Sequence, residues 1–456
     1  MKVMIIAHGH PSLSPGGGER AAYALFEHLK GRQEIENPIF VARSDQETIG
    51  HSAPLGAFRG RDNEILASPM PCHSFTHRTE DYALLEKIVF DLLDRYSPDV
   101  VHVHHFVFWG VELFEILRKR GVKVLLTLHE YMAMCHRQGQ MLKTNGRLCS
   151  FAAAAECSAC FPEFSSGHFF LRERIIKSFL EYVDHFISPS RFLADRYVTW
   201  GIPKHKISVI ENPLSPDLLF QAADLLNSSE RRIGPGGSSA DGKLAIAAAS
   251  PEESYRIRIG FFGQINPYKG LDVLFEAISL LSEDERRRIF VGLHGAKLES
   301  QSEEFRARFS SLLEKVADSV VLHGAYDNGS VLSLMRQYDW VVVPSIWWEN
   351  SPVVIQEAQL IGKPLLCSRI GGIEEKAAGR DDVLLFEAGN PVDLADRLRN
   401  LAMPSGTAAT PAGHDAKAFV DTIVGCYANG VSAEQNRPRR TTKGRAAAVR
   451  AKGSRF

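Results

Sequence analysis

Short runs of β-branched and apolar residues alternate with helical patterns along most of this 456-residue chain. Strands are predicted at 2–8, 100–104, 122–128, 185–188 and 207–210 in the first half, and at 256–262, 289–293, 320–323, 340–343 and 364–368 in the second. This alternation is typical of parallel sheets covered by helices, because each parallel strand pair needs a crossover connection. The chain is long enough for two separate cores. We therefore predict an α/β protein of two Rossmann-like, doubly wound domains.

An interruption in this alternation divides the chain. Asn212-Pro213 ends the first series, which predicts a first domain over 1–212. Residues 227–253 are rich in Ser, Gly, Ala and charge, which predicts a flexible insertion near the boundary. The second domain is expected over 254–410, and a last helix within 411–430.

The composition is that of a soluble globular protein, with 45% hydrophobic and 23% charged residues. No apolar run is long enough to span a bilayer, and residues 1–8 are typical of a first strand rather than of a signal peptide. Seven cysteines in a chain of this size do not indicate a disulfide scaffold. A cytoplasmic location is therefore expected.

The tail over 431–456 differs from the rest of the chain in charge. From Arg437 onward it has eight basic and no acidic residues, whereas the whole chain has a formal charge of −1. This composition predicts disorder. We favour a solubilising extension over peripheral attachment to the anionic inner face of a membrane. Nucleic-acid binding ranks last, because no aromatic or recognition motif accompanies the charge.

The segment from Trp347 to Glu357 predicts a binding site. It follows a buried strand and starts a helix after Pro352, so its free N–H groups at Asn350, Ser351 and Val353 favour an anion such as a diphosphate. Glu349 precedes the helix and Glu357 lies eight positions on. Two spaced carboxylates around an anion site suit a nucleotide-sugar, although two such glutamates can also be solvated surface charges.

With its preceding strand, Pro-Ser, Trp pair and Ser-Pro helix start, this segment resembles the Glu-x7-Glu signature of the retaining glycosyltransferases of family 4. The resemblance covers roughly residues 2–401 without the insertion. It implies the GT-B fold, in which two Rossmann-like domains face each other across a cleft and the final helix packs back on the first domain. It also implies that Glu349 orients hydroxyls of the donor sugar and that Glu357 binds the ribose.

A second segment, from Phe261 to Gly270, resembles the family's Gly-Arg-x-x-x-x-Lys-Gly pattern, whose basic residues neutralise the diphosphate. Gly263 and Lys269 match this pattern. Gln264 stands where the arginine is expected, and a neutral amide can bond phosphate oxygen but adds no charge. Either another basic group compensates for it or the donor binds more weakly.

Other matches to the family are shorter. Gly17 and Gly18 correspond to a Gly-Gly pair that lets the backbone approach the donor, although a flexible turn explains them equally well. His129 corresponds to a histidine near the donor sugar, followed here by Glu130 instead of the usual Asp. Gly371 and Gly372 resemble the family's Gly-Gly-x-x-Glu loop near the donor. His102 and His104 share one face of a strand, and we interpret them as packing residues rather than as metal ligands.

Four cysteines lie in a short insertion after His129: Cys135, Cys149, Cys157 and Cys160. Only the last pair has a recognised zinc spacing. The alternatives are a structural zinc site and free, partly buried thiols, of which the second is preferred.

The function that the resemblance implies is transfer of a sugar, with retention, from a nucleotide-diphosphate-sugar to a hydroxyl of a saccharide or lipid-linked saccharide, in cell-surface polysaccharide or glycolipid synthesis. His129, Glu349 and Lys269 are the expected catalytic residues, and no cofactor is required. The alternatives are a GT-B sugar-nucleotide epimerase, a phosphorylase-like enzyme and a nucleotide-sugar-binding protein without turnover.

Overall fold

The computed structural model describes residues 1–14, 16–49, 53–230, 256–403 and 415–428, and these form two α/β domains. The strands of the first domain are β1 Val3–Ala7, β2 Ile39–Arg43, β3 Leu55–Phe58, β4 Arg61–Ala67, β5 Val100–Val103, β6 Lys123–Thr127, β7 His185–Ser188 and β8 Ile207–Val209. Its helices are α1 Gly17–Leu29, α2 Gln46–Ile49, α3 Tyr82–Tyr96, α4 Glu112–Lys119, α5 Ala154–Cys160, α6 Ser166–Leu180, α7 Arg191–Trp200 and α8 Pro216–Glu230. The strand order is β3-β4-β2-β1-β5-β6-β7-β8.

The second domain begins at β9. Its strands are β9 Ile257–Gln264, β10 Ile289–Ala296, β11 Val320–Gly324, β12 Trp340–Val343, β13 Leu365–Arg369 and β14 Val383–Glu387. The remaining helices are α9 Leu271–Ser279, α10 Glu283–Arg287, α11 Glu303–Glu314, α12 Val331–Met335, α13 Val353–Leu360, α14 Gly371–Ala377, α15 Pro391–Arg399 and α16 Ala416–Ala428. These strands form a parallel sheet in the order β11-β10-β9-β12-β13-β14.

Both sheets are buried on two faces, which explains why their strands are apolar runs rather than alternating patterns. In β1, Val3 and Ile5 enter one core cluster while Met4 and Ile6 enter the cluster on the opposite face. All ten predicted strands are present, so the prediction of two doubly wound sheets is confirmed.

The sequence analysis missed four strands, namely β2, β3, β4 and β14. The pair β3–β4 is antiparallel, unlike its neighbours. It is joined by Arg59-Gly60, which both have positive φ, as a tight two-residue hairpin turn requires. The missed hairpin forms the outer edge of the first sheet and lies away from the predicted site.

The predicted insertion over 227–253 is wrong at its start, because α8 continues as a helix to Glu230. The rest of that segment lies outside the described residues, as does the basic tail over 431–456. Within the described residues, no helix is long and apolar enough to cross a bilayer.

Helix α16 lies against the first sheet, although it follows the second domain in the chain. Val420, Ile423 and Tyr427 belong to the core cluster that contains Val3 and Ile5. The Tyr427 hydroxyl and His102 Nδ1 are 2.7 Å apart. His102 Nε2 lies 2.7 Å from Thr127 Oγ1. Both ring nitrogens of His102 therefore have hydrogen-bond partners inside the first domain, as expected of a packing residue.

Candidate active site

A cleft of about 540 Å³ separates the carboxyl ends of the two sheets, where ligands bind in open α/β folds. Eleven of the predicted site residues line it, three of them glycines: Gly17, Gly18, His129, Gly263, Gln264, Lys269, Glu349, Asn350, Ser351, Val353 and Glu357. This volume falls within the range of small-molecule sites.

Two helix N-termini face this cleft from opposite domains. Helix α1 begins at Gly17 and α13 at Val353, and neither has a side-chain cap. The N-cap residues of both helices therefore accept no hydrogen bond through a side chain, and the helix dipoles add partial positive charge. The cleft consequently suits a ligand with an anionic centre.

Lys269 and Glu349 form an ion pair in the wall of the second domain. Lys269 Nζ donates to Glu349 Oε1 at 2.6 Å, and the same oxygen accepts hydrogen bonds from Ser345 Oγ at 2.8 Å and Trp347 Nε1 at 2.9 Å. Burial alone would raise the pKa of Glu349, but the charge of Lys269 and these hydrogen bonds hold it below the usual value. Glu349 is therefore ionised at neutral pH.

The glycine after Lys269 fixes the position of that lysine. Gly270 has φ of +67° and precedes α9, where a Cβ would lie 1.9 Å from Pro344 O. A larger residue here would push the segment away from the strand end that precedes Glu349.

Glu357 is buried in the same wall, with 4% of its surface exposed. Burial raises the pKa of Glu357 to about 7, and the positive charge of Arg20 opposes this shift. Arg20, from α1 of the first domain, and Tyr326 line the cleft nearby. The sequence analysis missed Arg20, although its place directly after the Gly-rich loop was a usable signal.

The first-domain wall is rich in histidines paired with carboxylates. His8 Nε2 lies 3.0 Å from Glu19 Oε1, and His105 Nε2 lies 3.2 Å from Glu130 Oε1. Burial lowers the pKa of His105 to about 3 and raises that of Glu130 to about 8. Both groups are therefore largely uncharged at neutral pH and suit hydrogen bonding to hydroxyls.

His129 lies in this wall beside the Gly-rich loop. Its Nε2 is 3.0 Å from His104 Nδ1, and a Cβ on Gly18 would lie 3.6 Å from its ring. Burial lowers the pKa of His129 to about 3, so the ring is neutral at pH 7. His129 can hydrogen-bond to a sugar but cannot supply positive charge to a phosphate.

Gly371 and Gly372 lie behind the cleft rather than in its lining. The Gly372 N–H donates to Glu349 O at 2.7 Å, and a Cβ on Gly372 would lie 1.7 Å from Asn350 O. Gly371 has φ of +50°. Both glycines contact the loop that carries Glu349 and therefore support that loop from behind. The sequence analysis had expected them to contact the donor directly.

The loop between β12 and α13 also joins the two domains. Asn350 Nδ2 donates to His129 O at 2.7 Å, and Trp348 Nε1 donates to Cys149 O at 2.9 Å. Helix α14 adds a second connection, since Glu375 accepts hydrogen bonds from the N–H groups of Arg191 and Phe192, both at 2.9 Å. The donor-side loop is thereby tied to the first domain and to the cysteine insertion.

The four cysteines of that insertion line one small cavity, together with His136. All four are free thiols, and burial raises the pKa of Cys135, Cys149 and Cys157. Among the described residues, no group of three or more His, Cys, Asp or Glu side chains is arranged to hold a metal ion. A zinc ion would have to draw these thiols closer together, and the zinc site stays a prediction.

Known families match both domains of this chain. A family model described as Glycosyltransferase Family 4 matches residues 15–218, and one described as Glycosyl transferases group 1 matches residues 256–403. The D-inositol 3-phosphate glycosyltransferase of Saccharomonospora viridis is 28% identical over 207 residues, which are 43% of this chain and 47% of that protein. The alignment thus spans about half the length of that relative.

Solved structures share the fold across nearly the whole chain. Anabaena HepE in complex with UDP and glucose has a TM-score of 0.60 and 16% identity, covering 93% of this chain and 99% of that one. Sucrose-phosphate synthase from Thermosynechococcus elongatus has a TM-score of 0.63 and 15% identity, covering 94% and 98%. These neighbours show the GT-B fold, and the two family models, which together match residues 15–218 and 256–403, show that the chain belongs to these glycosyltransferase families.

Proposed function

We propose that this protein transfers a sugar from a nucleotide-diphosphate-sugar to a hydroxyl acceptor with retention of configuration. The observation that carries the proposal is the convergence of Lys269, Glu349, Glu357 and two uncapped helix N-termini on one cleft between the domains. These groups match the parts of a nucleotide-sugar, namely an anionic diphosphate flanked by two sets of hydroxyls. HepE, a structural neighbour, was solved with UDP-glucose.

In the proposed reaction, the main catalytic task is to stabilise charge on the departing nucleoside diphosphate. Lys269 and the N–H groups at the start of α13 supply positive potential without a divalent metal. Glu349 accepts hydroxyls of the donor sugar, Glu357 accepts those of the ribose, and neutral His129 positions the sugar from the other domain.

The acceptor is proposed on the first-domain side of the cleft, where His105 and Glu130 offer hydrogen bonds to hydroxyl groups. A saccharide or lipid-linked saccharide acceptor and a role in cell-surface polysaccharide or glycolipid synthesis rest on the family resemblance alone. Peripheral contact with the inner face of a membrane rests on the basic residues from Arg437 onward.

The decisive experiment is hydrolysis and transfer with a panel of UDP-, GDP- and ADP-sugars, with release of free sugar and nucleoside diphosphate measured together. The anomer formed in transfer, determined by NMR, tests retention. Glu349→Gln is the inactive comparison, and Glu314→Gln, an exposed residue of α11 outside the cleft, is the matched control. Release of no nucleoside diphosphate by the wild type from any of these donors would overturn the proposal.

The same experiment separates the alternatives. An epimerase converts the nucleotide-sugar into its epimer and releases no sugar. A binding protein retains the donor without turnover, and Gln264 in place of arginine is the feature that favours this reading.

A further inference from the structure

The second-domain wall lacks a positive charge at the position of Gln264. Lys269, the other basic residue of that segment, is already paired with Glu349 at 2.6 Å. A diphosphate carries two or more negative charges at neutral pH, and an amide offers it hydrogen bonds without charge. The wall therefore needs a further cation if it binds a diphosphate with ordinary strength.

The pairing of β9 and β10 places a lysine beside this gap. Gln264 is the register partner of Ala296 in this parallel pair, and Lys297 follows Ala296 directly. The two strand ends approach closely at Gly295, where a Cβ would lie 2.6 Å from Gly263 O. Both Gln264 and Lys297 line the cleft.

The backbone at Lys297 is held in an unusual conformation. Its φ is +71°, a left-handed value that non-glycine residues rarely adopt. Lys297 O accepts hydrogen bonds from Ser300 Oγ at 2.9 Å and Gln301 Nε2 at 3.0 Å, and Ala296 O accepts from Ile265 N at 2.9 Å. These hydrogen bonds fix the backbone of the turn on both sides of Lys297.

The ammonium group of Lys297 has no carboxylate partner among the described residues, in contrast to Lys269. An exposed lysine on a fixed turn, beside a neutral residue at an anion site, is available to a ligand. We propose that Lys297 supplies the positive charge that Gln264 lacks and contacts the diphosphate of the donor. This assignment rests on the proposed function.

The test is calorimetric titration of UDP, GDP and ADP, and of their monophosphates, into wild type, Lys297→Ala, Gln264→Arg and the double variant. Lys297→Ala should weaken binding of the preferred diphosphate by about tenfold, with little change for the monophosphate, and should flatten the salt dependence. Gln264→Arg should restore the lost affinity in the double variant. Lys315→Ala, the same charge change outside the cleft, is the matched control. Arg20→Gln asks whether the cation of the opposite wall carries the role instead.

Unchanged diphosphate affinity in Lys297→Ala, or loss in Arg20→Gln alone, would overturn this inference while leaving the proposed function intact. Binding of no nucleoside diphosphate by the wild type would overturn both. Circular dichroism of each variant shows whether a loss of binding reflects unfolding.

Discussion

Lys269 Nζ lies 2.6 Å from Glu349 Oε1, so two residues with separate expected roles neutralise each other in the cleft. The hydrogen bonds from Lys269, Ser345 and Trp347 all end on Oε1. Oε2 therefore has no donor among the described residues and is available to a sugar hydroxyl. The pair also keeps Glu349 ionised despite burial, which an acceptor of hydroxyl hydrogen bonds requires.

Glu349→Gln should lower sugar transfer at least about tenfold, because a hydrogen bond to a charged group contributes roughly 1.5–3 kcal/mol. Lys269 loses its charged partner in this variant, so binding of free nucleoside diphosphate should be kept or tightened. Steady-state kinetics and calorimetry measure the two effects separately. Transfer at the wild-type rate would contradict the role given to Glu349.

Glu357 predicts a pH dependence. Burial raises the pKa of Glu357 to about 7 in the folded protein, whereas its ordinary value is 4.5. Its contribution to stability is therefore fully present below pH 4.5, and it is lost as the pH rises through 7. At pH 8 the buried charge costs up to about 3 kcal/mol. Glu357→Gln should therefore be more stable than wild type at pH 8 but not at pH 4.5, as urea denaturation would measure.

Donor binding should depend on pH in the opposite direction to stability. Ribose hydroxyls donate to an ionised carboxylate, so wild-type affinity should rise as pH passes 7, whereas Glu357→Gln should bind weakly and without this step. A wild-type affinity that is flat between pH 6 and 8 would argue against ribose contact by Glu357. Glu314→Gln, an exposed carboxylate outside the cleft, serves as the control for both measurements.

Gly372→Ala should displace the loop that carries Glu349. Its Cβ would lie 1.7 Å from Asn350 O, a backbone atom that can move only with the loop. We expect a loss of about 1–3 kcal/mol in stability and a larger proportional loss of transfer. Gly425→Ala in α16, where nothing lies within 4 Å, should be neutral or stabilising by up to about 1 kcal/mol.

The cysteine insertion gives a metal prediction. If Cys135, Cys149, Cys157 and Cys160 close around an ion, purified protein should contain about one zinc, bound by four thiolates. Its removal should loosen the insertion and, through the Trp348–Cys149 hydrogen bond, lower activity without unfolding the chain. Elemental analysis and thiol titration test this. Protein prepared without chelator that contains no zinc and has four reactive thiols would show that the prediction is wrong.

Sequence alone determined much of the architecture. Buried parallel strands are continuous apolar runs, so ten of the fourteen strands in the described part of the chain and the two-domain arrangement were predictable. The missed strands β3 and β4 form a hairpin at a sheet edge, where one face is less buried and the apolar signal is weaker. The pattern that follows Pro352 also predicted helix α13, because local turn and helix signals depend on neighbours in sequence.

Tertiary structure alone decided which charged groups share the cleft. Lys297 and Arg20 are separated in sequence from every motif of the second domain that the analysis used, and strand register and domain packing bring them to the site. The pairing of Lys269 with Glu349 and the supporting position of Gly372 likewise depend on how loops 80 and 23 residues apart approach each other. That packing buries Glu357 and His129, and burial raises the pKa of Glu357 and keeps His129 neutral.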